Sequence, residues 1–125
     1  MHQELRQLEC GSFIKTMIEK LCILDIETTG FKPENSEILE LYILKVADNE
    51  IIDEFYSLFK PNQKIENSNI HGITDEKVEN APTFQEMDNE ITNFVEDTIL
   101  VGHNINYFDL KFLNYYLQKP LKNKT

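Results

Sequence analysis

An apolar run that ends in two acids is the feature that most constrains the fold of this chain. Residues 21–24 (Leu-Cys-Ile-Leu) precede Asp25-Ile26-Glu27, and Thr28-Thr29-Gly30 follows. Such a short apolar run is typical of a buried β-strand. Because side chains alternate along a strand, Asp25 and Glu27 project from the same face, roughly 7 Å apart at the backbone. The sequence therefore predicts a core strand with paired carboxylates near its end.

Paired carboxylates repel each other unless a cation lies between or beside them. Carboxylate oxygens are hard ligands, which suit Mg²⁺ or Mn²⁺. The alternative is an edge strand with two solvent-facing acids, as is usual for a lone Asp-x-Glu. The apolar flank of residues 21–24 favours the metal site.

A second apolar run, residues 98–102, is followed by His103-Asn104-Ile105-Asn106-Tyr107-Phe108-Asp109 and by a helical pattern to about Lys119. This pattern predicts a short strand and then a helix, with Asp109 at or near the first helical turn. An acid in that position stabilises the helix, because its negative charge interacts favourably with the positive end of the helix dipole. The alternative is a third carboxylate delivered to the same end of the sheet as Asp25.

Three segments, taken in order, resemble one family. They are residues 25–30, residues 70–76 (Ile-His-Gly-Ile-Thr-Asp-Glu) and the segment from Val101 to Asp109. The chain from about residue 21 to 120 resembles the DnaQ-like 3′–5′ exonucleases of the DEDD superfamily, and is similar to the epsilon proofreading subunit of bacterial DNA polymerase III. The resemblance implies an α/β, ribonuclease-H-like fold and metal-dependent hydrolysis of phosphodiesters at nucleic-acid 3′ ends.

The resemblance also implies two divalent ions, Mg²⁺ or Mn²⁺. Asp25 would bridge both ions, Glu27 would complete the first site, and Asp109 would support the second. The residues expected by resemblance to bind the terminal nucleotide are Thr28, Phe31, Glu66 and His71. Without the resemblance, Glu66 would be read as a solvated loop acid and His71 as a turn histidine.

The sequence departs from the family pattern at two places. One additional residue separates His103 from Asp109 relative to the closest epsilon-like pattern, which weakens the likeness to epsilon but not to the exonuclease class. The last family motif, a histidine followed five residues later by a metal-binding Asp, is absent, since residues 110–125 contain no His, Asp or Glu. We therefore expect a truncated form with little activity alone. A non-catalytic module that binds nucleic acid or a polymerase is the alternative.

The charge of the chain limits its partners. The net charge is −10, and the first 109 residues hold all 22 Asp and Glu against eight Lys and Arg. Such a surface does not bind duplex DNA tightly through its phosphates without help. Metal ions would have to bring phosphate in, or a polymerase subunit would have to present the strand. The resemblance implies a single-stranded nucleic-acid 3′ end as the partner, with DNA favoured over RNA. No apolar run is long enough to span a membrane, and a cytoplasmic location is expected.

The remaining patterns predict the secondary structure and domains. Residues 1–20 are expected to form an N-terminal helical extension (helix over 3–19), and residues 21–125 a C-terminally incomplete exonuclease domain. The predicted sheet has three antiparallel strands, 21–28, 37–47 and 51–60, followed by a parallel strand over 98–102. Helices are predicted over 75–79, over about 84–95 with a capping box at 83–86, and up to about 119. Lacking the family's last strand and helix, the sheet would expose the 98–102 strand edge to self-association.

Overall fold

A four-stranded mixed sheet organises the computed structural model, which describes residues 19–122. Its strands are β1 (Lys20–Thr28), β2 (Ile38–Ala47), β3 (Glu50–Leu58) and β4 (Thr98–Val101), in the order β3-β2-β1-β4. Strand β1 runs antiparallel to β2 and parallel to β4, and β2 runs antiparallel to β3. The predicted fold class, three antiparallel strands and then a parallel one, is confirmed. The helix predicted over 3–19 lies outside the described residues.

Two helices cover one face of the sheet. They are α2 (Asp88–Val95) and α3 (Leu110–Tyr116), whereas α1 (Ser68–His71) is a single turn between β3 and β4. The even-numbered residues of β1 from Cys22 to Thr28 are buried, as the alternation of a strand requires. The core on this face is built from Cys22, Leu24, Ile26, Leu41, Ile43, Phe55, Ile91, Val95, Leu100, Leu110, Phe112 and Leu113.

A smaller apolar cluster lies under the long segment between β3 and β4. Leu39 is displaced by the bulge between Glu27 and Thr28, and it packs with Ile65, Ile73 and Val78. This cluster holds the segment against the end of the sheet at which the acids of β1 lie. No helix within residues 19–122 is long and apolar enough to cross a bilayer.

The β2–β3 connection is tighter than the three-residue turn predicted from the sequence. Asp48 and Asn49 both have positive φ, 55° and 65°, and Glu50 already belongs to β3. Two-residue hairpin loops need positive φ at both positions, and Asp and Asn are the non-glycine residues that adopt it most readily.

The helix predicted over 75–79 is wrong. Residues 75–80 form turns whose backbone bonds, such as Lys77 N–H to the Thr74 carbonyl, span three residues rather than four. The segment buries only Val78, so no apolar stripe stabilises a continuous helix.

The other two helices differ at their ends. The helix predicted from about residue 84 begins as a 3₁₀ turn, Gln85–Met87, and the predicted capping box is present: Thr83 N–H donates to Glu86 (2.8 Å) and Glu86 N–H to Thr83 Oγ1 (3.2 Å). Helix α3 ends at Tyr116 rather than near 119, since Leu117 is extended and Pro120 disfavours helix before it.

Candidate active site

Parallel pairing of β1 with β4 brings the carboxyl ends of both strands to one edge of the sheet. The last paired residues are Ile23 and Val101, so Asp25 lies just beyond the end of β4. A methyl group placed on Gly102 would lie 2.9 Å from the Leu24 carbonyl and 3.4 Å from Asp109 Oδ2. The Asp109 carboxyl group therefore lies close to β1, the strand that carries Asp25.

A π-helical turn delivers Asp109 to this position. Asn104 adopts a left-handed conformation (φ 60°, ψ 33°), Ile105–Asp109 forms the π turn, and α3 follows directly. A π turn is wider than an α turn and takes up an extra residue. It therefore accommodates the additional residue between His103 and Asp109 that the sequence showed.

The Asp109 carboxyl group is buried and incompletely satisfied. Asp109 is 4% exposed, and its Oδ2 atom has no hydrogen-bond partner within residues 19–122. Burial, and secondarily the charge of Asp25, raises the pKa of Asp109 to about 7. A buried carboxyl with an elevated pKa beside a second acid is the electrostatic pattern of a functional site.

Glu27 shows a related but weaker perturbation. Burial and the charge of Asp25 raise its pKa, His71 opposes the shift, and Glu40 adds to it. Glu40 lies directly opposite Glu27 on β2 and accepts a hydrogen bond from the Tyr56 hydroxyl at 2.7 Å. That bond is the main cause that raises the pKa of Tyr56 to about 12. Acidic side chains therefore line both strands at this edge.

The donor set suits a divalent cation, although the carboxylates are not in a coordinating arrangement. Within residues 19–122, no three side chains of His, Cys, Asp or Glu lie close enough together to hold a metal ion. Two features still fit such an ion. The buried Oδ2 of Asp109 has no hydrogen-bond partner among residues 19–122, and the charge of Asp25 opposes ionisation of Asp109. A cation between them would relieve both costs.

A cavity of about 220 Å³ opens beside the acids. Exposed apolar side chains flank it, with Phe31 85% and Ile70 72% exposed. Its lining residues are Ile26, Glu27, Thr28, Thr29, Gly30, Phe31, Asn67, Ile70, His71 and Phe108. The cavity therefore combines apolar walls with a carboxylate at one side.

The structure distributes the predicted nucleotide-binding residues between two places. Thr28, Phe31 and His71 line the cavity, whereas Glu66 lines a separate depression with Thr29 and Gln63. Thr28 is buried, and its hydroxyl donates to the Gly30 carbonyl at 2.6 Å. The geometry thus groups three of the four residues and separates Glu66 from them.

Six of the ten cavity residues were absent from the predicted site residues, and the three of them that lie outside residues 25–30 are Phe108, Ile70 and Asn67. Phe108 has helical spacing with Phe112, which is typical of a core residue, and the centroids of the two rings lie 5.0 Å apart. Ile70 could have been found as a large apolar residue in a polar loop. For Asn67 the sequence offers no signal, since its contacts depend on the tertiary structure.

Comparison with known proteins identifies the family of this chain. A family model described as "Exonuclease" matches residues 22–125. The chain is 41% identical over 101 residues to the PolC-type DNA polymerase III of Thermotoga petrophila, which covers 79% of this chain and 7% of the relative. It is 38% identical over 107 residues to the DNA polymerase III subunit epsilon of Treponema pallidum, covering 81% of this chain and 49% of the relative.

Solved structures of exonuclease I share the fold. The apo form gives a TM-score of 0.71 at 19% identity, covering 79% of this chain and 24% of the other. Escherichia coli exonuclease I in complex with a dA16 oligonucleotide gives 0.71 at 18%, covering 78% of this chain and 23% of the other. This chain thus spans about half the length of the epsilon relative and a small part of the PolC-type one. Because the family match extends over most of its sequence, this chain belongs to the exonuclease family.

Proposed function

We propose that this chain is the core of a metal-dependent 3′–5′ exonuclease domain of the DNA-proofreading type, which acts on single-stranded 3′ ends. Asp25, Glu27 and Asp109 are its catalytic and metal-binding residues, and Thr28, Phe31, Glu66 and His71 bind the terminal nucleotide. The polymerase relatives support a DNA substrate, a replicative polymerase as partner and a cytoplasmic setting.

One observation carries this proposal. The buried Asp109 carboxyl has an oxygen without a hydrogen-bond partner in the part of the chain that the structure describes, and Asp25 is close enough to contribute to its raised pKa. A chain of ordinary stability rarely keeps a buried polar atom without a partner unless the atom has a function. A capping role alone does not explain it, because Asp109 makes no side-chain capping bond to α3.

The three carboxylates would hold two Mg²⁺ or Mn²⁺ ions. When bound, such ions stabilise the negative charge that grows on the attacking and leaving oxygens of a phosphodiester. The residues of this chain would anchor the ions and compensate their charge. The ions would also offset the net charge of −10, which otherwise repels phosphate.

The cavity supports recognition of one terminal nucleotide. Phe31 and Ile70 both line it and are exposed, and the aromatic ring of Phe31 can stack on a base without regard to sequence. Glu27 also lines this cavity, so a nucleotide bound there would lie next to its carboxylate.

The test measures Mn²⁺ binding and nucleotide release with matched variants. Asp25→Asn should weaken Mn²⁺ binding at least tenfold by calorimetry, whereas Asp48→Asn, an equal change in the β2–β3 turn, should leave it unaltered. In a version of the chain continued beyond Thr125 that carries the family's last motif, release of mononucleotides from a 3′-labelled single strand should require Mn²⁺ and Asp25. Mn²⁺ binding that is insensitive to both Asp25→Asn and Asp109→Asn would refute the proposed site.

One observation favours a second candidate function, a non-catalytic module. Residues 110–125 supply no His, Asp or Glu, so this chain contains neither the family's general base nor its fourth acid. A general base contributes about 10²–10⁴-fold to rate. The 125-residue chain should thus be nearly inactive, and it would act alone as a non-catalytic module that binds a 3′ end or a polymerase. Assaying a version continued beyond Thr125 that carries His-x-x-x-x-Asp separates the two: activity there establishes the enzyme, and inactivity favours the module.

A further inference from the structure

A chain of hydrogen bonds connects the one-turn helix α1 to the end of β1. The Asn67 side-chain amide donates to the Thr28 carbonyl at 3.1 Å, and its Oδ1 lies 3.0 Å from His71 Nε2. At the other side of the ring, Ile73 N–H donates to His71 Nδ1 at 3.0 Å. Asn67 and His71 thus connect two segments that are distant along the backbone, residues 67–73 and the end of β1.

The partners determine which atoms donate. Because Nδ1 accepts from Ile73, the neutral His71 ring carries its proton on Nε2, and Nε2–H donates to Asn67 Oδ1. The Thr28 carbonyl can only accept, so it requires the NH₂ group of Asn67 to face it. All bonds of the network agree on one orientation of each side chain.

Helix α1 itself contributes no residue to the apolar cores, since none of its four residues is buried. The smaller apolar cluster anchors the residues on either side of it, Ile65 and Ile73, and leaves the helix to its polar contacts. A single helical turn is not stable by itself. Its apolar residue, Ile70, is exposed and forms part of the wall of the same cavity that Phe31 lines. The position of that wall therefore depends on the polar contacts.

We propose that Asn67 is a positioning residue for nucleotide binding, an inference that rests on the proposed function. Asn67 clamps α1 to the Thr28 carbonyl and so sets the distance between Ile70 and Phe31. His71 acts as the second half of this clamp: both its ring nitrogens are engaged, so it contributes the shape of the wall and gives no hydrogen bond to the nucleotide.

The first part of the test needs no ligand. Ring ¹⁵N chemical shifts of His71 should show a protonated Nε2 and an accepting Nδ1. In Asn67→Ala, the amide hydrogens of Ile70 and Gly72, which bond within α1, should exchange about tenfold faster, as expected for loss of one to two hydrogen bonds. Asn69→Ala removes the same kind of side chain from within α1, where it makes no side-chain hydrogen bond to residues 19–122, and should leave exchange unchanged.

The second part measures binding of thymidine 5′-monophosphate with Mg²⁺. Asn67→Ala should weaken it about tenfold, and Asn67→Asp should be no better, because a carboxylate cannot donate to the Thr28 carbonyl. A protonated Nδ1, or amide exchange in Asn67→Ala equal to wild type, would overturn the clamp. If the wild-type chain binds no nucleotide, the proposed function fails, and the exchange measurement still decides the clamp.

Discussion

Replacing Asp109 by Asn should make the stability of this protein less dependent on pH. The pKa of Asp109 is raised from an ordinary 3.8 to about 7, chiefly by burial and then by Asp25. The folded state therefore favours the neutral acid. Its contribution to stability is complete below the unfolded pKa of 3.8, and is lost as the pH rises through about 7.

The magnitude follows from the shift. About three pKa units correspond to about 4 kcal/mol over the whole window. Between about pH 5 and about pH 8, the same relation gives a loss of stability of about 2.5 kcal/mol from Asp109. The amide side chain of the Asp109→Asn variant has no charge to gain, so the stability of the variant relative to wild type should rise by that amount over this interval.

Urea unfolding of both proteins at the two pH values, in the presence of a chelator, measures this difference. Asp25→Asn offers a second check: without the charge of Asp25, the pKa of Asp109 should fall, and the pH dependence should shrink but persist, because burial is the larger cause. A stability difference between wild type and Asp109→Asn that does not change with pH would show that Asp109 is not held neutral by its surroundings.

Three further outcomes are expected. Phe112→Ala should reduce the free energy of unfolding by about 3–5 kcal/mol, because Phe112 is fully buried. The control is Tyr107→Ala, which removes a side chain that is 75% exposed and should change that free energy by less than about 0.5 kcal/mol in the same urea titration. Thr83→Ala should cost about 1 kcal/mol by removing the cap of the turn that leads into α2, and a value near zero would contradict the capping box. In an alkaline absorbance titration, Tyr56 should ionise near its raised pKa of about 12, and Glu40→Gln should lower that pKa towards 10. If Glu40→Gln left the titration unchanged, the hydrogen bond to Glu40 would be excluded as the cause of the raised pKa.

Local patterns in the sequence were sufficient for the strands and for the acid pair. The alternation of β1 follows from the apolar side chains at Cys22, Leu24 and Ile26, and it places Asp25 and Glu27 on one face regardless of what surrounds the strand. The capping box at residues 83–86 is likewise a property of four consecutive residues. These features depend on backbone geometry within a few residues, which the sequence encodes directly.

The ends of helices were less predictable because packing and distant contacts decide them. The turns at 75–80 contain helix-forming residues, yet they bury too little apolar surface to continue as a helix. Helix α3 stops early, where Asn114 bonds both the N–H and the carbonyl of Leu121 across the following turn. Neither outcome follows from residue propensities alone.

By itself, the sequence determined which side chains could bind cations and on which strand face they lie. Only the tertiary structure decided that Asp109 is buried next to β1, that a π turn aims it there, and that Asn67 and His71 join α1 to Thr28. The physical reason is the distance along the sequence over which each interaction acts. Strand alternation acts between neighbours in sequence, whereas burial, electrostatic coupling and hydrogen bonds between distant segments exist only after the sheet has brought those segments together.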